Sequence, residues 1–380
     1  MKNGIDCIGD YAAILQGKRL GLVTSVSGVG RDFTSSVDIL HSAYHLTALY
    51  GPEHGVRGAA DAGAAVESYT DPDTGLPVHS LYRKDSKHFT QEMLADIDAL
   101  VYDIQDVGTR YYTYISTLLY ALGDCAKYGK ELIVLDRINP LGGSIVEGNV
   151  LREEYKSFVG AYPLCTRYGL TAGEFARMAN AEQALCCNLS VVPCAGWKRS
   201  TLFSQNDLCW MMPSLGIPRF ETALLYPGTC IFEGTNVSEG RGTSCPFELI
   251  GAPWVNARAL TAAMSARALA GVAFTAAYFT PSASKHAGQP CEGVHIHITD
   301  AHAFRAVETA YTLLYTLRDL YPDAFAFLPP VRSGSRPFIS LLAGSGVFEG
   351  EPPALAALLE GFAQDEKAFL RRKEAYHLYE

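Results

Sequence analysis

Carboxylates, arginines and tyrosines collect in three short segments, each following a run of apolar residues. Gly51-Pro52-Glu53-His54-Gly55 follows Leu46 to Tyr50, Asp103-Ile104-Gln105-Asp106 and Val107-Gly108-Thr109-Arg110 follow Ala99 to Tyr102, and Asp136-Arg137-Ile138-Asn139 follows Leu132 to Leu135. Pro52 and the flanking glycines hold Glu53 in a tight turn, and a carboxyl fixed and partly desolvated at a strand end is suited to donate a proton. The plainer alternative has Glu53 capping a helix or pairing with Arg57. His54 would orient Glu53 or hydrogen-bond a substrate. Asp103 and Asp106 offer a second carboxylate opposite it, and Arg110, Tyr111 and Tyr112 an amphipathic face for a sugar or a base. Competing with this, Asp106 or Thr109 caps a helix and Arg110 pairs with it. Asp136 and Arg137 read as a mutually satisfied ion pair.

A fourth segment, Phe232 to Thr243, interleaves glycines at 234, 240 and 242 with Glu233, Asn236, Glu239 and Arg241. Such a loop brings backbone amides and an arginine fork close to an anion, either a carboxylate or a phosphate. It lacks the G-x-x-x-x-G-K-[ST] pattern of a nucleotide P-loop. Gly28-Val29-Gly30 opens like a dinucleotide fingerprint, but Phe33 stands where the third glycine belongs. His295 and His297 alternate on one strand face with no carboxylate at motif spacing, so no metal is expected. There is no G-x-S-x-G elbow for a serine nucleophile. None of these chemistries calls for an organic cofactor.

The elements that must position these loops follow from periodicity. Leu20 to Thr24, Leu46 to Tyr50, Ala99 to Asp103 and Leu132 to Asp136 read as buried strands. Ser35 to Ala43, Thr90 to Ala95 and Tyr111 to Tyr128 read as helices between them. This alternation predicts an α/β fold with a Rossmann-like, layered parallel sheet. Thr171 opens a further helix with Glu174 as its capping-box partner. A strand at Ser190 to Cys194, a Gly/Pro-marked stretch from Pro213 to Pro253, a helix from Asn256 to Ala270, strands at Val272 to Phe279 and Gly293 to Thr299, and helices at His302 to Tyr321 and Pro353 to Ala375 complete the chain. Its 380 residues suit two domains. The expected division is 1–250, Rossmann-like, and 251–380, a smaller α+β domain, with the active-site cleft between them.

Composition narrows the function. A net charge of −9 and no basic run longer than Arg371-Arg372-Lys373 argue against nucleic acid or an anionic membrane as partner. Ten cysteines without C-x-x-C spacing suit reduced, buried thiols rather than disulfides or structural zinc. Met1 to Asp10 shows no basic segment leading into an apolar one, and no apolar window reaches membrane-spanning length, so a cytoplasmic location is expected.

Five ordered strings, Gly51-Pro52-Glu53-His54-Gly55, Thr74-Gly75-Leu76-Pro77-Val78, Tyr102-Asp103-Ile104-Gln105-Asp106-Val107-Gly108, Leu135-Asp136-Arg137 with Asn139-Pro140-Leu141-Gly142-Gly143, and Phe232-Glu233-Gly234-Thr235-Asn236, resemble the exo-β-N-acetylmuramidases. The similarity runs nearly end to end. The resemblance implies a glycoside hydrolase that releases N-acetylmuramic acid from the non-reducing end of peptidoglycan fragments such as muropeptides, which suits cell-wall recycling. It places the catalytic glutamate on Glu53. Arg241 is a sensible partner for the lactyl carboxylate that distinguishes muramic acid from glucosamine. Asp103, Asp106, Glu233 and Glu239 stand as alternatives for the second group, and the substrate's acetamido group as another. Rival readings are a nucleotide-sugar or phosphosugar transferase and a non-catalytic muropeptide-binding protein.

Overall fold

A computed structural model describes residues 1–53, 55–57 and 68–380. The first region is an α/β layer. Its strands are β1 (Leu20–Thr24), β2 (Leu46–Gly51), β3 (Tyr69–Thr70), β4 (Pro77–Ser80), β5 (Ala99–Asp103), β6 (Glu131–Leu135) and β7 (Asn188–Val192), in the order β3-β4-β2-β1-β5-β6-β7. All neighbouring pairs are parallel except β3 with β4. β1 and β5 are buried along their whole length, as expected for strands covered on both faces by crossover helices. Because the chain passes from β1 to β2 on one side and later to β5 on the other, the order reverses between β1 and β5. Ligands of open α/β sheets gather at such a reversal.

The helices of this region are α1 (Gly4–Cys7), α2 (Ser36–Ala43), α3 (Tyr114–Tyr128) and α4 (Ala172–Glu182). Local chemistry sets their ends. The Ser35 side chain accepts from the Asp38 amide to cap α2, Gly129 ends α3 in the left-handed region at φ 64°, and Thr171 and Glu174 form the expected capping box of α4. Residues 90–95, expected as a helix, form no helix: 91–96 are turns, with a single i→i−4 bond from Leu94 N to the Thr90 carbonyl at 3.3 Å. The segment is short, and Phe89 and Leu94 are anchored in the core without a regular helix being needed to bury them.

α5 (Phe220–Thr229) rises within the stretch that reads as loop, because its Pro227 and Gly228 mimic breaker signals. A smaller antiparallel sheet follows, ordered β8-β10-β9, from β8 (Leu249–Ala252), β9 (Val272–Phe279) and β10 (Cys291–Ile298). It packs with α6 (Ala257–Ser265), which in turn meets α7 (Ala306–Leu320), and α8 (Phe338–Ala343) and α9 (Leu355–Glu374) complete the chain. The fold is therefore a mostly parallel sheet flanked by helices, joined to a smaller antiparallel unit. One buried apolar cluster runs through both, from Val23 and Tyr102 to Leu313 and Phe369.

Gly228 is where α5 meets α7. A Cβ there would collide with the Ala306 carbonyl and lie 2.8 Å from the Ala310 Cβ. We predict that Gly228→Ala forces the helices apart and lowers unfolding stability by about 1–3 kcal/mol. A urea midpoint unchanged from the parent would refute this.

Candidate active site

α5 runs into a 310 turn, Cys230–Gly234, that presents Glu233 to a cleft of ≈ 790 Å3. Gly234 permits this seat, since a Cβ on it would press to 2.6 Å from Ile339. That volume lies within the ~300–1,000 Å3 range of small-molecule sites. From the parallel-sheet side the cleft is lined by Glu53 at the end of β2, Tyr82, Phe158, and Tyr111 to Tyr114 at the start of α3. From the other side come Ser214 to Ile217, Tyr226, Glu233, Arg241 to Thr243, Phe247 and Ala283 to Ser284.

Glu53 is fixed from α3. The Thr113 hydroxyl, at the N-cap of that helix, donates to Glu53 Oε2 at 2.7 Å. Arg57 is not its partner, being engaged by Asp71 and Asp73. The Lys87 ammonium lies 3.3 Å from the centre of the Tyr82 ring and is close enough to Glu53 to interact with its charge, while burial pulls the lysine's pKa downward. His54 lies outside the described residues.

Arg241 stands across the cleft, its guanidinium 4.8 Å from the centre of the Phe247 ring. Its Nε donates to Glu233 Oε1 at 2.8 Å, and Nη2 is 2.7 Å from the same oxygen. Nη1 faces Gly216, where a Cβ would sit only 3.2 Å away, so the glycine preserves room beside this edge of the fork. Burial raises the Glu233 pKa, against the pull of Arg241. Behind them Glu239, almost fully buried, takes Lys285 Nζ at 2.7 Å and lies 3.7 Å from Arg241 Nε. Glu239 backs the site without being among the residues that line it.

Other candidates from the sequence lie elsewhere. Asp103 is fully buried in an ion pair with Arg137, whose Nε donates to Oδ1 at 2.6 Å and Nη2 to Oδ2 at 2.9 Å, and the Ser36 hydroxyl also donates to it. Arg137 therefore serves Asp103 and not, as expected, Asp136, which is bound by the Thr171 and Tyr379 hydroxyls and the Gly173 amide. Asp106 is enclosed, accepting from the Tyr168 hydroxyl and, at 2.6 Å, from the Gly108 amide. Among the described residues Arg110 pairs with no Asp. Its fork is spent on the carbonyls of Asn149, Leu164, Leu342 and Ala343 at 2.7–3.0 Å. Tyr111 lines the cleft, but its hydroxyl is committed to the carbonyls of Tyr226 and Pro227. Asn236 is a bracket, donating to the Ala324 carbonyl at 2.7 Å and accepting from the Ala326 amide at 2.9 Å.

Thr113, Tyr82 and Lys87 join the site although the sequence alone does not single them out. Thr113 carries a usable signal, an N-cap residue type directly before the apolar run of α3, although apolar spacing alone extends that helix back to Tyr111. Among the described residues no helix is long and apolar enough to cross a membrane.

Comparison with known proteins bears on this arrangement. Residues 20–221 match the N-terminal family model of the exo-β-N-acetylmuramidase NamZ, and residues 224–379 match its C-terminal model. The chain is 44% identical over 385 aligned positions to the peptidoglycan β-N-acetylmuramidase NamZ of Bacillus subtilis (strain 168), covering all of this chain and 91% of that protein. Two crystal structures of DUF1343 family proteins from Bacteroides fragilis superimpose over all of this chain and 99% of each of theirs, one at 38% identity with TM-score 0.91, the other at 28% with TM-score 0.75.

The buried carboxylates yield two predictions. Desolvation raises the Asp106 pKa from its ordinary value to about 7. Because the folded state holds this proton more tightly than the unfolded one, the stability it contributes is full below about pH 4 and is lost as pH rises through 7. Asp106→Asn keeps an acceptor for Tyr168 and Gly108, so the slope of unfolding free energy between pH 4 and 7 becomes less negative. An unaltered slope would contradict this. Arg137→Met, by contrast, strands the Asp103 carboxylate and costs about 3–5 kcal/mol in urea unfolding at neutral pH; a loss below about 1 kcal/mol would show the pair to be dispensable.

Proposed function

Because the chain belongs to the exo-β-N-acetylmuramidase NamZ family, we propose that Glu53 is the general acid of a glycosidase that releases N-acetylmuramic acid from the non-reducing end of peptidoglycan fragments. The observation that carries this reading is the shared cleft. Of the five carboxylates considered for catalysis, only Glu53 and Glu233 line it. Thr113 holds the carboxyl group through Oε2, and its proton can pass to the glycosidic oxygen as the bond to the sugar breaks. Glu233 is the second carboxylate, and its charge opposes the oxocarbenium-like charge that develops on the sugar. The aromatic walls, Tyr82, Phe158, Tyr226 and Phe247, suit the faces of a pyranose ring.

Arg241 accounts for the preference for muramic acid. With Nε and Nη2 on Glu233, its Nη1 edge beside Gly216 receives the lactyl carboxylate. The substrate is a carbohydrate with N-acetylmuramic acid at its non-reducing end, with a muropeptide or a disaccharide as the smallest form. The ten cysteines are all unpaired, which favours a reducing, cytoplasmic setting consistent with cell-wall recycling.

Two measurements test the site. Glu53→Gln should lower kcat on a nitrophenyl N-acetyl-β-muramide by at least about 100-fold with an unchanged melting temperature; a well-folded variant with parental turnover would remove Glu53 from the mechanism. Arg241→Ala should raise KM for the muramide while leaving the poor cleavage of the corresponding glucosaminide as it was. Equal effects on both substrates would mean that Arg241 does not read the lactyl group.

A further inference from the structure

A second cavity, of ≈ 260 Å3, opens at the carboxyl ends of β1, β5 and β6, where the strand order reverses. Its walls include Asn3, Arg31, Phe33, Phe203, Asp207 and Trp210. Phe33 occupies the place of the missing third glycine and keeps a glycine's conformation, φ 67°, with 59% of its surface exposed. An aromatic residue held in the left-handed region and turned to solvent is costly on both counts, and such strain concentrates at ligand sites. Trp210 also lines the cavity, its ring packed edge-to-face with Phe203 at 4.9 Å between ring centres. Asn3 is 7% exposed, and its Oδ1 has no hydrogen-bond partner among the described residues.

Charge decides what class of ligand fits. Arg31 is paired with Asp207 and Arg137 with Asp103, so the lining is balanced. The first turn of α2, where a phosphate would sit in a nucleotide-binding sheet, already faces the Asp103 carboxylate through Ser36. A phosphate would meet a negative charge there. The volume is below the ~300 Å3 lower bound of drug-sized sites, enough for one ring and too small for a dinucleotide. Two aromatic faces with an orphaned amide oxygen suit a neutral sugar carrying an N–H donor.

The cavity and the Glu53 cleft share one wall, residues 208–217. Trp210 and Met211 face the first, Ser214 to Ile217 the second. The wall is pinned from both sides, by the Tyr114 hydroxyl on the Pro213 carbonyl at 3.0 Å and by Trp210 Nε1 on the Ile217 carbonyl at 3.3 Å. Met212 and Leu215 lie on this wall exposed, Leu215 at 63%. A chain of sugars running from one site to the other would cover them.

We propose that this cavity is a distal subsite for a neutral N-acetylhexosamine ring of a longer glycan whose scissile end lies at Glu53, an inference that rests on the glycosidase reading of that cleft. The test compares a chromogenic N-acetyl-β-muramide, which reaches only the cleft, with soluble peptidoglycan glycans of tetrasaccharide length and longer. Phe33→Gly, which relieves the strained backbone and so folds, and Trp210→Ala should each raise KM for the long glycan about fivefold to tenfold, with kcat/KM for the chromogenic substrate held within about twofold. An unchanged long-glycan KM in Phe33→Gly, or an equal loss on both substrates, overturns the subsite. If the parent cleaves neither substrate, the glycosidase reading fails by itself. The subsite is then read by tryptophan fluorescence of Glu53→Gln titrated with tri-N-acetylchitotriose: saturable quenching that Phe33→Gly abolishes supports it, and no quenching, or quenching indifferent to Phe33, overturns it.

Discussion

The Asp103–Arg137 pair holds the centre of the molecule. Both charges are buried, and a buried charge is tolerable only when its partner and its remaining hydrogen bonds are in place. Here Asp103 ends β5, Arg137 follows β6, Ser36 opens α2, and the Val29 carbonyl, which accepts from Arg137 Nη2 at 2.9 Å, belongs to the loop after β1. One ion pair thus joins two strands, a loop and a helix at the reversal of the sheet. It also occupies the position that nucleotide-binding sheets leave for phosphate, the N-terminus of the first crossover helix. With that position taken by a carboxylate, a nucleotide-sugar transferase is disfavoured, and Glu53, the proposed acid, follows β2, the strand beside β1.

The same economy operates around the cleft. The stretch from 138 to 170 forms almost no regular structure, so its backbone carbonyls need donors from outside. From outside, Arg110 supplies the Asn149 and Leu164 carbonyls as well as those of Leu342 and Ala343, while Arg167, inside the stretch, donates to the Leu141 carbonyl and pairs with Glu147 at 2.8 Å. Lys373, on the last helix, donates to the carbonyls of Gly143 and Gly169, and burial lowers its pKa to about 7. The C-terminal helix therefore closes the loops of the first region. A site formed by loops needs this bracing, because an acid group displaced by an ångström loses its reach to the scissile bond.

Much was legible from short stretches of chain. The alternation of strands and helices, the Thr171–Glu174 box, the glycine end of α3 and the turn that isolates Glu53 all depend on residues a few positions apart, and propensity and periodicity report on that range. The boundaries of β9 coincide with the expected ones for the same reason. α5 escaped because its proline and glycine are accepted by packing against α7, which no local pattern displays.

The choice among ionisable residues was a tertiary matter. Asp103, Asp106, Arg110 and Asn236 have the residue types of a catalytic rim, yet each is consumed by partners distant in sequence, 34 positions away for Asp103 with Arg137 and 233 for Arg110 with Ala343. Sequence could name a set of groups able to act on a sugar, since chemistry follows from residue type. Only the folded chain could divide that set, since a charged side chain must either find a partner in the core or face water, and which of these happens depends on what the rest of the chain brings beside it.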